Sequence, residues 1–153
     1  MNSLDDIDRL ILGQLQENGR APAVELAERV GLSPSACHRR VKALEHAGVI
    51  HGYVAVLDPE QINRALDVFV EISLSSQSVQ ILADFEDAVT TCPEVMSCRL
   101  MAGDADYLVH LAVADPKDFE RIHAQHLSRL PHVARLKSNF AIRTVVHTTR
   151  HQL

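Results

Sequence analysis

Residues 25–50 read ELAERVGLSPSACHRRVKALEHAGVI, and the punctuation of this stretch decides the architecture around it. Leu26, Ala27 and Val30 recur at helical spacing, with Val24 on the same face, and Pro22 is placed to open this helix. Gly31 closes it, since a residue without Cβ suits a left-handed cap. Ser33 and Pro34 form an N-cap and first-turn pair. They predict a second helix to about His46, burying Cys37, Val41 and Leu44 and ended by Gly48. Two helices around a tight turn, the second rich in basic residues, make the helix-turn-helix layout. There the second helix enters the DNA major groove by its N-terminal end. Its first turns offer Ser33, Pro34, Ser35, Ala36 and His38 as small or polar groups beside base edges. Arg39, Arg40 and Lys42 suit phosphates or guanine edges. The plain alternative is an exposed amphipathic helix pair with ordinary surface charges.

Working outward, Leu4, Ile7, Leu10, Ile11 and Leu15 predict a preceding helix, with acidic DDID in the first turn, where the helix dipole favours it. Downstream, VIHGYVAVLDPE (49–60) reads as two short strands or a wing that brings His51 near a DNA backbone, then a connection to about residue 65. Residues 67–75 predict a strand, 78–92 a helix ended before Pro93, and 95–101 and 107–114 two strands around a turn. Asp115-Pro116 opens a helix that Pro131 ends, and Val133–Val146 supplies a last strand. The order βαββαβ is the split, ferredoxin-like arrangement. The fold class expected is therefore α+β, in three segments: residues 1–52, a connection at 53–65, and 66–153.

With 46% hydrophobic residues and few aromatics, the 153-residue chain can bury an aliphatic core. Net charge is −5 but unevenly placed. Residues 20–42 carry five basic against two acidic side chains, whereas 61–116 carry two against nine. The acidic total argues against coating of nucleic acid by bulk charge, and not against a local basic face. Three scattered cysteines (Cys37, Cys92, Cys98) without C-x-x-C spacing suggest reduced thiols in a cytoplasmic protein, Cys37 being a small core residue. No apolar run reaches the ~18 residues of a membrane span, so no membrane partner is expected.

LDDIDRLILGQLQENGR, ELAERVGLSPSACHRRVKALEHAGVIHGYVAVLDPE, VFVEISL, GDADYLV and RLPHVARLKSNFAI occur in this order. Together they resemble the Lrp/AsnC (feast/famine) family of transcription regulators over nearly the whole chain. The resemblance implies an N-terminal winged helix-turn-helix that binds double-stranded DNA, a linker strand, and a C-terminal effector domain. It also implies homodimers formed through the effector-domain sheets, assembled into octamers of four dimers. An amino-acid effector would sit between dimers; no cofactor is implied.

The resemblance further implies that Met101, Ala102, Gly103, Asp104, Ala105, Asp106 and Tyr107 line the effector pocket, faced by Leu136, Lys137, Ser138, Asn139 and Phe140. Such a pocket needs an acceptor for the ligand's ammonium and N–H donors for its carboxylate. Read on residues alone, Asp104 serves turn chemistry while Gly103 supplies a positive φ. Ala102, Ala105 and Asn139 depart from common family residues, which leaves the ligand open. Apolar Met101 and Phe140 favour an aliphatic or small apolar one. His123 and His126 share a helix face, but no Cys or carboxylate on that helix completes a metal set, and no metal site is expected. Two alternatives stand: a regulator without an effector, and a metal-dependent enzyme built on Asp104, Asp106 and His110, of which Asp106 and His110 share one strand face. No phosphate loop or activated nucleophile supports the enzyme.

Overall fold

The computed structural model describes residues 4–153. They fall into two compact units, one containing the chain up to Val56 together with Val146–Leu153, the other Leu57–Val145.

In the first unit, α1 spans Asp6–Glu17, α2 Ala23–Arg29 and α3 Pro34–His46. Asp5 caps α1 reciprocally: its carboxylate accepts from the Asp8 N–H at 2.8 Å, and Asp8 accepts from the Asp5 N–H. Ser33 caps α3 through the Ala36 N–H, with Pro34 in the first turn. Gly31 and Gly48 both have φ near +70°, so the glycines read as helix terminators occupy the conformation that favours glycine. Ile11, Leu12, Leu26, Ala27, Val30, Cys37 and Leu44 form the core. Fully burying one such large side chain contributes about 1.5–3 kcal/mol. Leu10 and Val24, read as core, are exposed, because each lies at the rim of its helix's apolar stripe. The C-terminal segment joins this unit. The Gln16 side chain donates to the His151 carbonyl and accepts from its N–H, and Arg150 reaches Glu17 at 3.7 Å.

No strand forms between residues 49 and 65, which corrects the expected wing and linker strand. A strand needs a ladder partner, and within the described chain this segment has none. Tyr53, Val54, Val56 and Leu57 remain exposed, Val54 by 89%.

The second unit runs β1 (Leu66–Leu74), α4 (Val79–Val89), β2 (Val95–Leu100), β3 (Tyr107–Val113), α5 (Pro116–Gln125), a 3-10 turn at Leu127–Arg129, and β4 (Val133–Phe140). The antiparallel sheet has the order β2-β3-β1-β4, the ferredoxin-like topology expected from the element order. Strict alternation along β1 and β3 sends Val68, Val70, Ile72, Leu74, Tyr107, Val109, Leu111 and Val113 into a core shared with Phe85, Val89, Phe119 and Ile122 of the helices. Asp115 caps α5 through the Asp118 N–H at 2.8 Å. This helix stops at Gln125 rather than at Pro131, because His126 leaves helical geometry and starts the 3-10 turn. The last strand ends at Phe140, well short of Val146, since its partner β1 runs out at Val68 and Leu66.

Candidate nucleic-acid interface and effector turn

On α3, burial of Cys37, Val41 and Leu44 turns Ser35, His38, Arg39, Lys42 and His46 outward as one exposed stripe. Ser33 and Pro34 stand exposed at its N-terminal end, with Ala36 half-buried beside them. The stripe follows i, i+3, i+4, i+7, i+11, which also enrols His46, a residue the sequence reading passed over as a mere helix end. Among the described residues Arg39 has no carboxylate partner. Lys42 pairs with Glu45 at 2.7 Å, an exposed contact that DNA phosphates can displace.

Arg40 departs from its expected role. Its Nη1 lies 2.7 Å from Asp5 and 2.8 Å from Asp8, the two residues of the α1 capping box. The Asp8 N–H and the Arg40 guanidinium hold the Asp5 carboxyl below its ordinary range. Arg40 therefore ties α3 to the start of α1 and is committed before any DNA arrives. The thiol of Cys37 is buried, and burial pushes its pKa up, as befits an unreactive core residue.

The second candidate is the β2–β3 turn. Met101, Ala102, Gly103 and Asp104 are exposed, Ala105 half-buried, and Asp106 and Tyr107 buried. Asp106 is 8% exposed and accepts from the Leu74 N–H at 2.7 Å and from Gln77 Nε2 at 2.6 Å. Both its oxygens are satisfied within the chain, so it holds the turn against the end of β1 instead of facing a ligand. Tyr107 packs on Phe85, ring centroids 4.5 Å apart, and donates to Glu86 at 2.7 Å; burial raises its phenol pKa. It too is a core residue. The Met101 N–H donates to the Asp106 backbone carbonyl, but the N–H groups of Ala102, Gly103, Asp104 and Ala105 have no acceptor among the described residues. Gly103 has no positive φ, contrary to the turn-chemistry reading, and a Cβ there meets nothing within 4 Å.

The expected opposite wall divides. Leu136 pairs with Ile72 at the turn's end of the sheet and Phe140 with Val68 at the far end, where it meets Phe119 edge-on at 5.1 Å. Leu136, Ser138 and Phe140 share the parity of the helix-covered face; Asn139 and Lys137 lie on the other, both donating to Glu71. Consecutive strand residues alternate faces, so 136–140 cannot form one wall within one chain. The imagined hydrolase cluster also dissolves. His110 is taken by Asp67 at 2.7 Å and stacked on Phe69, while Asp106 turns to Leu74 and Gln77.

An AsnC-type helix-turn-helix model matches residues 4–45, and the Lrp/AsnC ligand binding domain model matches residues 67–151. The chain belongs to the Lrp/AsnC family. Two leucine-responsive regulatory proteins, from Klebsiella pneumoniae and from Escherichia coli K12, are each 40% identical over 147 residues, covering 96% of this chain and 90% of theirs. A Neisseria meningitidis transcriptional regulator solved with L-methionine shares 40% identity at TM-score 0.90, covering 96% of this chain and 95% of that one. An AsnC family regulator from Agrobacterium tumefaciens shares 35% at TM-score 0.92, covering 97% and 96%. This Lrp/AsnC chain is thus a transcription regulator with a DNA-binding helix-turn-helix, and not an enzyme. Among its described residues no helix is long and apolar enough to cross a membrane.

Proposed function

We propose that this regulator is a cytoplasmic homo-oligomer whose affinity for specific DNA responds to an amino acid held at the Met101–Ala105 turn. Two recognition helices of a dimer would read successive major grooves of a pseudo-palindromic site about one helical turn apart. Ser35, His38, Arg39, Lys42 and His46 would make the contacts.

The observation that carries the effector site is the open turn. Four adjacent N–H groups lack acceptors among the described residues, and the Asp104 carboxylate stands exposed beside them. Donors for a carboxylate next to an acceptor for an ammonium suit a free α-amino acid. Gly103 strengthens the reading, because nothing among the described residues demands a glycine there and open space flanks it. The relative from Neisseria meningitidis and a feast or famine regulatory protein from M. tuberculosis, 34% identical, are both described as L-methionine complexes. Met101 supplies an apolar neighbour and favours an apolar side chain on the ligand. Within one chain the site has a single side, so the facing wall would come from another dimer, which makes assembly and ligand binding mutually dependent. The exposed apolar run Tyr53–Leu57 supports association of copies as well.

A thermal-shift screen of the twenty amino acids tests this reading. An effector at 100 times its dissociation constant stabilises the protein by about 2.7 kcal/mol. Gly103→Trp should melt normally yet lose the shift. A full shift in that variant removes the turn assignment, and no shift with any amino acid favours a regulator that works without an effector.

A further inference from the structure

Cys92, Glu94 and His126 lie outside both sites described above. Cys92 follows α4, Glu94 precedes β2, and His126 ends α5. One ligand atom from each, a thiol sulfur, a carboxylate oxygen and an imidazole nitrogen, lies within 4.8 Å of the other two. Among the described residues this is the one group of three such side chains gathered so closely. The partner that His126 lacked on its own helix is supplied by the α4–β2 turn.

One edge agrees with a metal polyhedron, and the His126 nitrogen lies within 4.8 Å of both its atoms. Cys92 Sγ stands 3.4 Å from Glu94 Oε2. Around tetrahedral zinc, with Zn–S of about 2.3 Å and Zn–O of about 2.1 Å, that edge measures about 3.6 Å. The other carboxylate oxygen, Oε1, accepts from Arg121 Nη2 at 2.9 Å, and Arg121 is itself anchored on Asp118 at 2.8 Å. An outer contact of this kind orients a ligating carboxylate and leaves Oε2 facing the Cys92 sulfur. Cys92 is 4% exposed, and a cavity of about 120 Å³, bordered by Ala88, Cys92, His126 and Leu127, adjoins it. That volume admits a fourth, exogenous ligand such as water. A thiol donating to a carboxylate accounts for the Cys92–Glu94 contact alone; it gives no reason for the imidazole to converge on the same point.

We propose that Cys92, Glu94 and His126 form a binding site for a thiophilic divalent cation, zinc foremost, with one coordination position open. Thiolate and carboxylate together neutralise the dication, and the Cys92 proton passes to solvent on binding. Sulfur and nitrogen donors select zinc or its borderline-soft relatives over magnesium and calcium, which take oxygen. The bound ion would clamp the α4–β2 turn to the end of α5 and stabilise the second unit.

Cobalt(II) tests the site directly. Full-length protein freed of metal by a chelator is titrated with Co(II). The expected result is one equivalent per chain, a thiolate-to-cobalt charge-transfer band, intense tetrahedral d–d bands, and loss of all of them on adding Zn(II). Cys92→Ser should abolish the charge-transfer band while Cys98→Ser leaves it intact. His126→Asn and Glu94→Gln, with native circular dichroism, should each weaken binding at least about tenfold. These last two variants decide the matter if Cys92→Ser fails to fold. Absence of a charge-transfer band in the wild type, its survival in Cys92→Ser, or unchanged binding in both His126→Asn and Glu94→Gln overturns the proposal.

Discussion

Arg39 and Arg40 are chain neighbours with opposite commitments. A helix turns about 100° per residue, which leaves Arg39 on the exposed stripe and swings Arg40 onto the Asp5–Asp8 cap of α1. Arg39→Ala should weaken binding to a specific duplex by about 1–3 kcal/mol, read by gel shift at fixed salt, with melting unchanged. Arg40→Ala should instead lower the melting temperature, and any loss of DNA affinity should follow from that. Equal loss of affinity without destabilisation in Arg40→Ala would return it to the interface. The same contact makes stability sensitive to acid. Asp5 has a depressed pKa in the folded state, held there first by the Asp8 N–H and then by Arg40. Its contribution is therefore present above the unfolded value of about 3.9 and disappears as pH falls through the folded value. Asp5→Asn keeps a capping side chain but not the charge. Its melting temperature should be lower than wild type at neutral pH, and the gap should close as both are titrated below about pH 4. A constant gap down to pH 2 would mean that Arg40 draws nothing from Asp5.

At the scale of elements, the β2–β3 hairpin shows what the sequence reveals and what it conceals. Periodicity and punctuation located the helices and strands, because Pro34, Pro116, Gly31 and Gly48 act within a few residues of themselves. The ends of β4 and α5 were harder, since a strand stops where its partner stops and a helix stops where its cap finds a bond. The hairpin itself was visible, yet the division of labour inside it was not. Asp104 and Asp106 look alike in sequence, and only the fold brings Leu74 and Gln77 to one of them. The Cys92, Glu94 and His126 cluster was invisible for the same reason, since it joins two connections distant in the chain. Asp106→Ala strands the buried Leu74 N–H, which costs about 1–3 kcal/mol. Denaturant unfolding should show that loss, and Asp104→Ala should leave stability unchanged. Equal stability of the two variants would remove the distinction drawn between the carboxylates.

At the scale of the whole molecule, the sheet carries its helices on one face, and among the described residues no helix covers the other. Asp67, Phe69, Glu71, Leu108, His110 and Ala112 occupy that face, opposite the buried set. An open face of a soluble antiparallel sheet is ordinarily polar. Here its centre holds Phe69 stacked on His110, centroids 4.7 Å apart, beside Leu108 and Ala112. The polar contacts Glu71–Lys137 and Glu71–Asn139 border it toward β4, and Arg99 borders it on β2. An apolar centre with a polar rim is how a protein interface is built, and two sheets packed face to face would cover it. A stable interface hides roughly 800 Å² on each partner, and one carboxylate at its centre would be trapped without a counter-charge. Phe69→Glu should therefore give monomers in sedimentation equilibrium while circular dichroism stays native, because the Phe69 ring lies outside the helix-side core. A monomer holds a single recognition helix, so affinity for a two-half-site operator should fall by about 100-fold or more. Binding to an isolated half-site should barely change, which separates lost pairing from a damaged reading head. A Phe69→Glu protein that sediments as the wild type does would remove this face as a contact between copies.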